Sequence, residues 1–481
     1  MPCLEKIKMN TARRITANFL SLIGSEIISK LIQLAVFIFL ARSLGKEEFG
    51  VFSFGIAFAL LIVIIADFGL ITLLIREISR NKKLASKYLS NALAVKVLLS
   101  LITLIFAYLF LNLMDYSQNV KIVAYIMLLF TLIQSVTHLY YSIFRAFERM
   151  HYDALIKILR MFILAGMIFY VIKNGYGLIA ASLAFPLTEI IVLVISIFIT
   201  YTRFIKFSFE FDFSFSKELL KKSSMFCLSL VFAGLFMHID TIMLSKMRSV
   251  AEVGTYAAAA NIMLALIFIP VMYSNAIFPV ISRFYVTSKK SLRFAYERSF
   301  KYMLLIGLPL SAGIYVLSDK IILLLYGKEY AASSIALAIL SWYLFLRFLN
   351  VTSGFTLSSI NRQGSRVFSQ GTAALANIML NFILIPIYGF VGAAIATLIT
   401  EVIFFFIYTS FIVKYGLKIK FISLSIRPII ATLIMLFALT FIGDLVLAVV
   451  VGIIVYFAVL IILGTIDKED KLLYKKIKNK F

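Results

Sequence analysis

A succession of continuous apolar runs, each about 20 residues or longer and separated by short polar connections, dominates this chain from residue 17 to residue 465. A run of that length spans a hydrocarbon layer roughly 30 Å thick as a helix. No water reaches the backbone there, so only helices or closed barrels satisfy its N–H and C=O groups. Because the runs are continuous rather than alternating, they exclude a membrane barrel. The composition agrees, with 62% hydrophobic residues against the roughly 45–50% of soluble proteins. The apolar runs and their flanking charges predict spans at 17–41, 49–75, 88–113, 121–144, 153–172, 177–202, 223–245, 253–282, 299–317, 333–359, 367–386, 389–413, 427–443 and 445–465. The fold class is therefore an all-α polytopic membrane protein with about fourteen transmembrane helices, twelve being the alternative count. Fourteen spans use about 280 of the 481 residues and leave no room for a large extramembrane catalytic module.

A formal net charge of +24 would suggest nucleic acid for a soluble chain, but here the positions of the charges carry the information. With the N-terminus inside, the inner segments hold 36 of the 47 Lys and Arg residues and the outer loops hold 8. This asymmetry predicts two cytoplasmic termini in a multi-pass protein of the cell membrane. The first run contains Glu26 and Lys30 and is followed by Arg42 rather than a small-residue cleavage site, so it reads as a retained helix. The basic tail from Lys468 to Lys480 reads as a cytoplasmic anchor near anionic headgroups. Cys3 and Cys227 are too few for a disulfide framework or a thiolate metal site, and no metal centre is expected.

The chain repeats itself. Glu48, Gly50 and Phe52 recur as Glu252, Gly254 and Tyr256 at an offset of 204. Tyr176, Gly177, Ala181, Ala184, Thr188 and Glu189 recur as Tyr388, Gly389, Ala393, Ala396, Thr400 and Glu401 at an offset of 212. Both matches join helix n to helix n+6, an even number, so the halves share one orientation. The expected organisation is a six-helix lobe at 1–205, a cytoplasmic linker at 206–222, a second lobe at 223–420, accessory helices 13 and 14 at 421–466 and a basic tail at 467–481. Two parallel lobes around a central cavity form the architecture of an alternating-access carrier.

Charges inside spans are expensive and mark interiors or pathways. Lys30, Lys96, Arg145, Arg160 and Arg347 are the candidate cations for a substrate cavity, and arginine suits phosphate or pyrophosphate. Each has a structural reading as well. Glu26 and Lys30 are spaced to neutralise each other on one helix face, Arg145 and Arg160 fall near the cytoplasmic boundary, and Lys96 can snorkel or pair. A coupling ion, Na⁺ or H⁺, requires a carboxylate within a span; Asp67, Asp240, Glu189 and Glu401 are the choices, and Asp240, Asp67 and Glu26 are the coupling or cavity candidates. Glu189 and Glu401, a duplicated position, read as structural tethers. His238 and Asp240 project about 200° apart, so they do not form one site, and His138 and His151 have no ligand-spaced neighbours.

Several blocks carry a resemblance. The stretch Asn377-Ile-Met-Leu-Asn381-Phe-Ile-Leu-Ile-Pro386-Ile-Tyr-Gly389-Phe-Val-Gly392-Ala-Ala-Ile-Ala-Thr397 resembles the helix 11–12 signature of the polysaccharide biosynthesis (oligosaccharide flippase) proteins of the multidrug/oligosaccharidyl-lipid/polysaccharide exporter superfamily. Leu40-Ala-Arg42-Ser-Leu-Gly45 followed by Phe49-Gly50, Asp67-Phe-Gly69-Leu, Ile239-Asp240 followed by Glu252-Val-Gly254-Thr-Tyr256, and Tyr326-Gly327-Lys-Glu-Tyr330 are similar to that family in order and spacing. The resemblance implies movement of a polyprenyl-pyrophosphate-linked oligosaccharide from the cytoplasmic to the outer leaflet by lobe rocking, without enzymatic chemistry. The implied partners are the lipid-linked glycan, membrane lipids and polysaccharide assembly enzymes, with no nucleic acid and no cofactor beyond a coupling ion. Two alternatives stand beside it. One is a Na⁺- or H⁺-coupled drug antiporter of the same superfamily; the other is a membrane-embedded glycosyltransferase, which the short outer loops disfavour.

Overall fold

In water-free surroundings each apolar run closes its own hydrogen bonds, and the computed structural model accordingly consists of helices joined by short turns. It describes residues 2–206, 208, 210–419 and 421–465, with side chains from residue 24 onward except that of Met225. The basic tail and the side chains of Lys6, Lys8, Arg13 and Arg14 lie outside the described residues. The helices are α1 (Pro2–Asp67), α2 (Leu70–Arg80), α3 (Ala85–Leu113), α4 (Gln118–Ala146), α5 (Met150–Lys173), α6 (Gly177–Arg203) and α7 (Phe213–Met247). They continue with α8 (Val250–Thr287), α9 (Lys289–Leu325), α10 (Ser333–Ser359), α11 (Gln363–Lys414), α12 (Phe421–Leu439) and α13 (Leu445–Ile462). Twelve helices among the described residues are long and apolar enough to cross a membrane. Two of these, α1 and α11, break at Gly45 (φ 76°) and Gly389 (φ 59°), which gives the fourteen apolar segments expected from the sequence.

One expected span is interrupted. The run at 49–75 stops at Asp67, because Phe68 (φ 40°) and Gly69 (φ 74°) turn left-handed and α2 starts afresh. The amphipathic spacing of Leu70, Leu73, Leu74 and Ile78 then buries one face of α2 against Tyr88, Leu89 and Ala92 of α3, Leu139 and Ile143 of α4, and Leu219 of α7. A Cβ at Gly69 would meet Phe226 Cβ at 2.6 Å and the Ser223 carbonyl at 2.9 Å, so the break also needs a glycine for close approach to α7.

The chain divides into two compact units, residues 1–261 with 377–393, and residues 262–376 with 394–481. The first unit takes in α7 and the start of α8. There the repeat-related glycines cross: a Cβ on Gly50 would run into the Val250 carbonyl, and one on Gly254 into the Lys46 carbonyl. Glu252 accepts a hydrogen bond from Phe390 N at 2.9 Å and so caps the second half of α11 just after its break. In the second unit, α12 and α13 pack on α9 through Leu317, Ala431, Met435, Ala448 and Tyr456. Lys320 Nζ donates to the Ile442 carbonyl at 3.0 Å, and Tyr456 OH to the Leu305 carbonyl at 2.8 Å. The last two helices are therefore docked on their own unit.

The linker after α6 is held to α3 by one buried amide. Asn91 Nδ2 donates to the Glu210 carbonyl at 2.8 Å, while Asn91 Oδ1 accepts from Asp212 N at 2.9 Å and Ser216 Oγ at 3.0 Å. Ser90 Oγ adds a bond to the Ser208 carbonyl at 2.7 Å. Asp212 caps α7 by accepting from Phe215 N at 3.0 Å and pairs with Lys87 at 3.2 Å, and these two contacts hold its carboxyl below the usual range.

Asn91→Ala should destabilise the folded chain by about 1–3 kcal/mol, because it orphans buried backbone groups of the linker; thermal unfolding in detergent measures this. Because the folded-state pKa of Asp212 is depressed, its capping contribution is present above the ordinary carboxylate pKa and disappears as pH falls through the folded value. The protection of the amides at 210–216, relative to their intrinsic exchange rates, should therefore fall below about pH 4, and Asp212→Asn should remove that change in protection.

Candidate functional site

Where a charge lies within a bundle, its nearest opposite charge determines whether it is structural or available. Lys96, 1% exposed, donates to Asp67 Oδ1 at 2.8 Å and to the Ser135 carbonyl at 3.0 Å, and Ser135 Oγ also bonds Asp67. Asp67 is the last residue of α1, so this pair fixes the end of the helix beside the left-handed break. Arg145 grips Asp153, which is 0% exposed, with Nε and Nη2 both at 2.7 Å from Oδ2. That contact clamps the α4–α5 turn. Arg347 Nη1 lies 3.5 Å from Glu401 Oε1, and Asn350 Nδ2 fixes the same glutamate at 2.9 Å to Oε1 and 3.0 Å to its carbonyl. Lys96 and Arg145 are thus held by carboxylates at 2.8 and 2.7 Å and Arg347 by one at 3.5 Å that Asn350 fixes, and the carboxylate expected at Asp67 is engaged as well.

The remaining two stand together. The expected pairing of Glu26 with Lys30 does not form. Glu26 instead meets Lys157 of α5 at 3.4 Å, and Lys30 Nζ donates to Gln33 Oε1 at 3.2 Å. A cross-helix partner within reach outcompetes the i+4 neighbour. Lys30 lies close enough to Glu26, Arg160 and Lys157 to interact with their charges. Arg160 Nη1 reaches Glu189 Oε2 at 3.5 Å, and its Nε is buried without a hydrogen-bond partner. Beside them lies a cavity of about 100 Å³ among α1, α4, α5 and α6, with Arg160, Glu189, Gln33, Gln134 and Thr188 on its polar side and Phe37, Phe130 and Phe185 on its apolar side. Within this cluster Lys30, Arg145, Lys157 and Arg160 face Glu26, Asp153 and Glu189, which leaves one net positive charge. Sequence reasoning missed Asp153 and Lys157; their i,i+4 spacing (3.5 Å from Lys157 Nζ to Asp153 Oδ1) was the available signal.

Asp240, 4% exposed, heads a second polar cluster in the first unit. Asn381 Nδ2 donates to its Oδ1 at 2.6 Å and to Asn377 Oδ1 at 3.1 Å, while Tyr256 OH donates to its Oδ2 at 3.1 Å. Asn377 and Asn381 are fully buried, and Asn381 Oδ1 accepts no hydrogen bond. The i,i+4 spacing of the two asparagines on α11 places them on one face, a signal present in the sequence but not read there.

Lys96→Ala should destabilise the chain by about 3–5 kcal/mol, because it leaves Asp67 buried and unpaired. Combining it with Asp67→Asn should restore most of that loss, as measured by thermal unfolding of detergent-purified protein.

The family model described as Polysaccharide biosynthesis protein matches residues 15–285, and that described as MatE matches residues 226–383. The probable low-salt glycan biosynthesis flippase Agl15 of Haloferax volcanii is 26% identical over 376 residues, 75% of each chain. The probable flippase AglR of the same organism is 30% identical over 166 residues, 34% of this chain and 35% of that one. Among solved structures, the lipid II flippase MurJ in an inward closed conformation superposes with a TM-score of 0.79 at 18% identity, covering 93% of this chain and 99% of the other. An inward-facing multidrug resistance MATE family transporter superposes at 0.63 and 17% identity, covering 82% and 98%. The fold is the one these transporters share, and with more than half of its length matched, the chain belongs to the polysaccharide biosynthesis protein family.

Proposed function

We propose that this protein moves a polyprenyl-pyrophosphate-linked oligosaccharide from the cytoplasmic to the outer leaflet of the cell membrane by alternating access, supplying glycan assembly without making or breaking a bond. The observation that carries this reading is the cavity lined by Arg160, with Lys30 and Lys157 near enough to interact with each other's charge beside it and a net positive charge in the surrounding cluster. Such an excess cation recognises an anionic headgroup, whereas a polyprenyl chain needs only lipid. The flippase names of the haloarchaeal relatives point the same way. Arg145, Lys96 and Arg347 are assigned to scaffold pairs with Asp153, Asp67 and Glu401. The positive-inside count supports cytoplasmic termini, which places the mouth of α5 on the side where lipid-linked glycans are made.

The coupling site is assigned to Asp240. Its carboxylate, the Asn377 and Asn381 side-chain oxygens and Tyr256 OH offer an oxygen-rich cluster, and the unengaged Asn381 Oδ1 fits a monovalent cation. These residues would hold the ion. The same cluster and the MatE match favour the antiporter as the second reading.

In proteoliposomes, fluorescent polyprenyl-pyrophosphate oligosaccharide should cross only with protein present, and Lys30→Ala with Arg160→Ala should lower the rate at least tenfold. Gradient-driven efflux of a cationic dye without lipid translocation would select the antiporter. Asp240→Asn should abolish the response of translocation to a Na⁺ or H⁺ gradient while leaving headgroup binding within about twofold of wild type.

A further inference from the structure

The duplicated glutamates differ in how firmly they are held, and the difference assigns one of them a part in the transport cycle. Glu401 is fully buried and locked by Asn350, whose amide bonds both its side chain and its backbone. Glu189 occupies the matching place in the first repeat and is 1% exposed, but it has no such lock. Its ion pair with Arg160 is a single 3.5 Å contact, supplemented by the Thr137 hydroxyl. That contact is as long as the one between Arg347 and Glu401, which Asn350 secures, and much longer than the 2.7 Å contacts of Arg145 Nε and Nη2 with Asp153 Oδ2. Arg160, like Arg347, has a buried Nε–H without a hydrogen-bond partner, but Arg160 stands on the wall of a cavity that protein atoms do not fill. An unmade bond of this kind on a buried guanidinium is costly unless a ligand completes it.

One other cavity group is free to donate. Lys30 Nζ occupies Gln33 Oε1, which leaves the Gln33 amide N–H₂ as its donor. Thr188 Oγ1 donates instead to Met167 Sδ at 3.5 Å. The cavity of about 100 Å³ admits a phosphoryl group or a few waters but not a whole sugar.

We propose that Glu189 is the displaceable counter-ion of Arg160: it neutralises the guanidinium while the cavity is empty and yields it to a phosphoryl oxyanion of the lipid-linked headgroup. Glu189 is thus a positioning residue, acting through Arg160, and the inference rests on the flippase reading above. Its value to transport is in release. A phosphate held by an uncontested buried arginine leaves slowly, whereas a carboxylate waiting within reach returns the site to its empty state.

The test measures equilibrium binding and translocation separately, using a fluorescent polyprenyl-pyrophosphate oligosaccharide and, as a phosphate-free control, the corresponding polyprenol. Glu189→Gln should tighten pyrophosphate-lipid binding about tenfold, leave polyprenol binding unchanged and slow translocation severalfold. Glu189→Asp, which keeps the charge but shortens its reach, should move both readouts in the same direction by less. If Glu189→Gln folds poorly, the Glu189→Asp protein carries the same test. Inorganic pyrophosphate should compete for the lipid in wild type, and more effectively in Glu189→Gln. Folded variants that bind the pyrophosphate lipid no more tightly than wild type, or that gain affinity for polyprenol equally, would overturn the role of Glu189. Failure of wild-type protein to bind or move the pyrophosphate lipid would instead overturn the flippase reading itself.

Discussion

The structure depends on the cost of a charge where no water can reach it. In this bundle that cost is met pair by pair, with Lys96 on Asp67, Arg145 on Asp153 and Arg347 on Glu401, each drawing two helices together. The first two of these pairs sit where the backbone departs from a straight helix. Asp67 ends α1 at a left-handed turn, and Arg145 and Asp153 flank the turn between α4 and α5. A charge that would be a liability in isolation thus fixes a turn that apolar packing alone does not define.

The charges left over from this accounting locate function. Arg160 and Lys30 are held loosely and by long contacts, next to a cavity and with one net positive charge around them. Asp240 accepts hydrogen bonds from the Asn381 amide and the Tyr256 phenol. In the proposed reading Arg160 and Lys30 serve an anion and Asp240 a cation, both within one unit.

Much of this was legible in the sequence. The apolar runs predicted fourteen segments, and the structure places α10 at the expected 333–359 and α6 one residue longer than the expected 177–202. The repeat is legible in particular residues. Gly177 and Gly389 both adopt positive φ at the start of their segments, and Gly50 and Gly254 both stand where a side chain would meet a backbone carbonyl. The pairings were not legible. A span periodicity places Lys30 on the face of Glu26, but it does not reveal that α5 brings Lys157 nearer to Glu26. The same holds for Asn91, whose role exists only because the linker folds back over α3. The break at Phe68–Gly69 escaped the hydropathy reading because the residues on both sides of it are equally apolar.

The central claim is that the headgroup enters the cavity of the first unit. Photo-crosslinking tests this most directly, with a benzophenone amino acid replacing Phe130 on the cavity wall, or Ile422 on the exposed surface of α12 as the comparison site, in proteoliposomes containing labelled polyprenyl-pyrophosphate oligosaccharide. The account predicts a crosslink at 130 that unlabelled lipid-linked glycan removes, with label at 422 unaffected by competition. Labelling at 422 alone, or labelling at 130 that excess glycan lipid fails to displace, would contradict it.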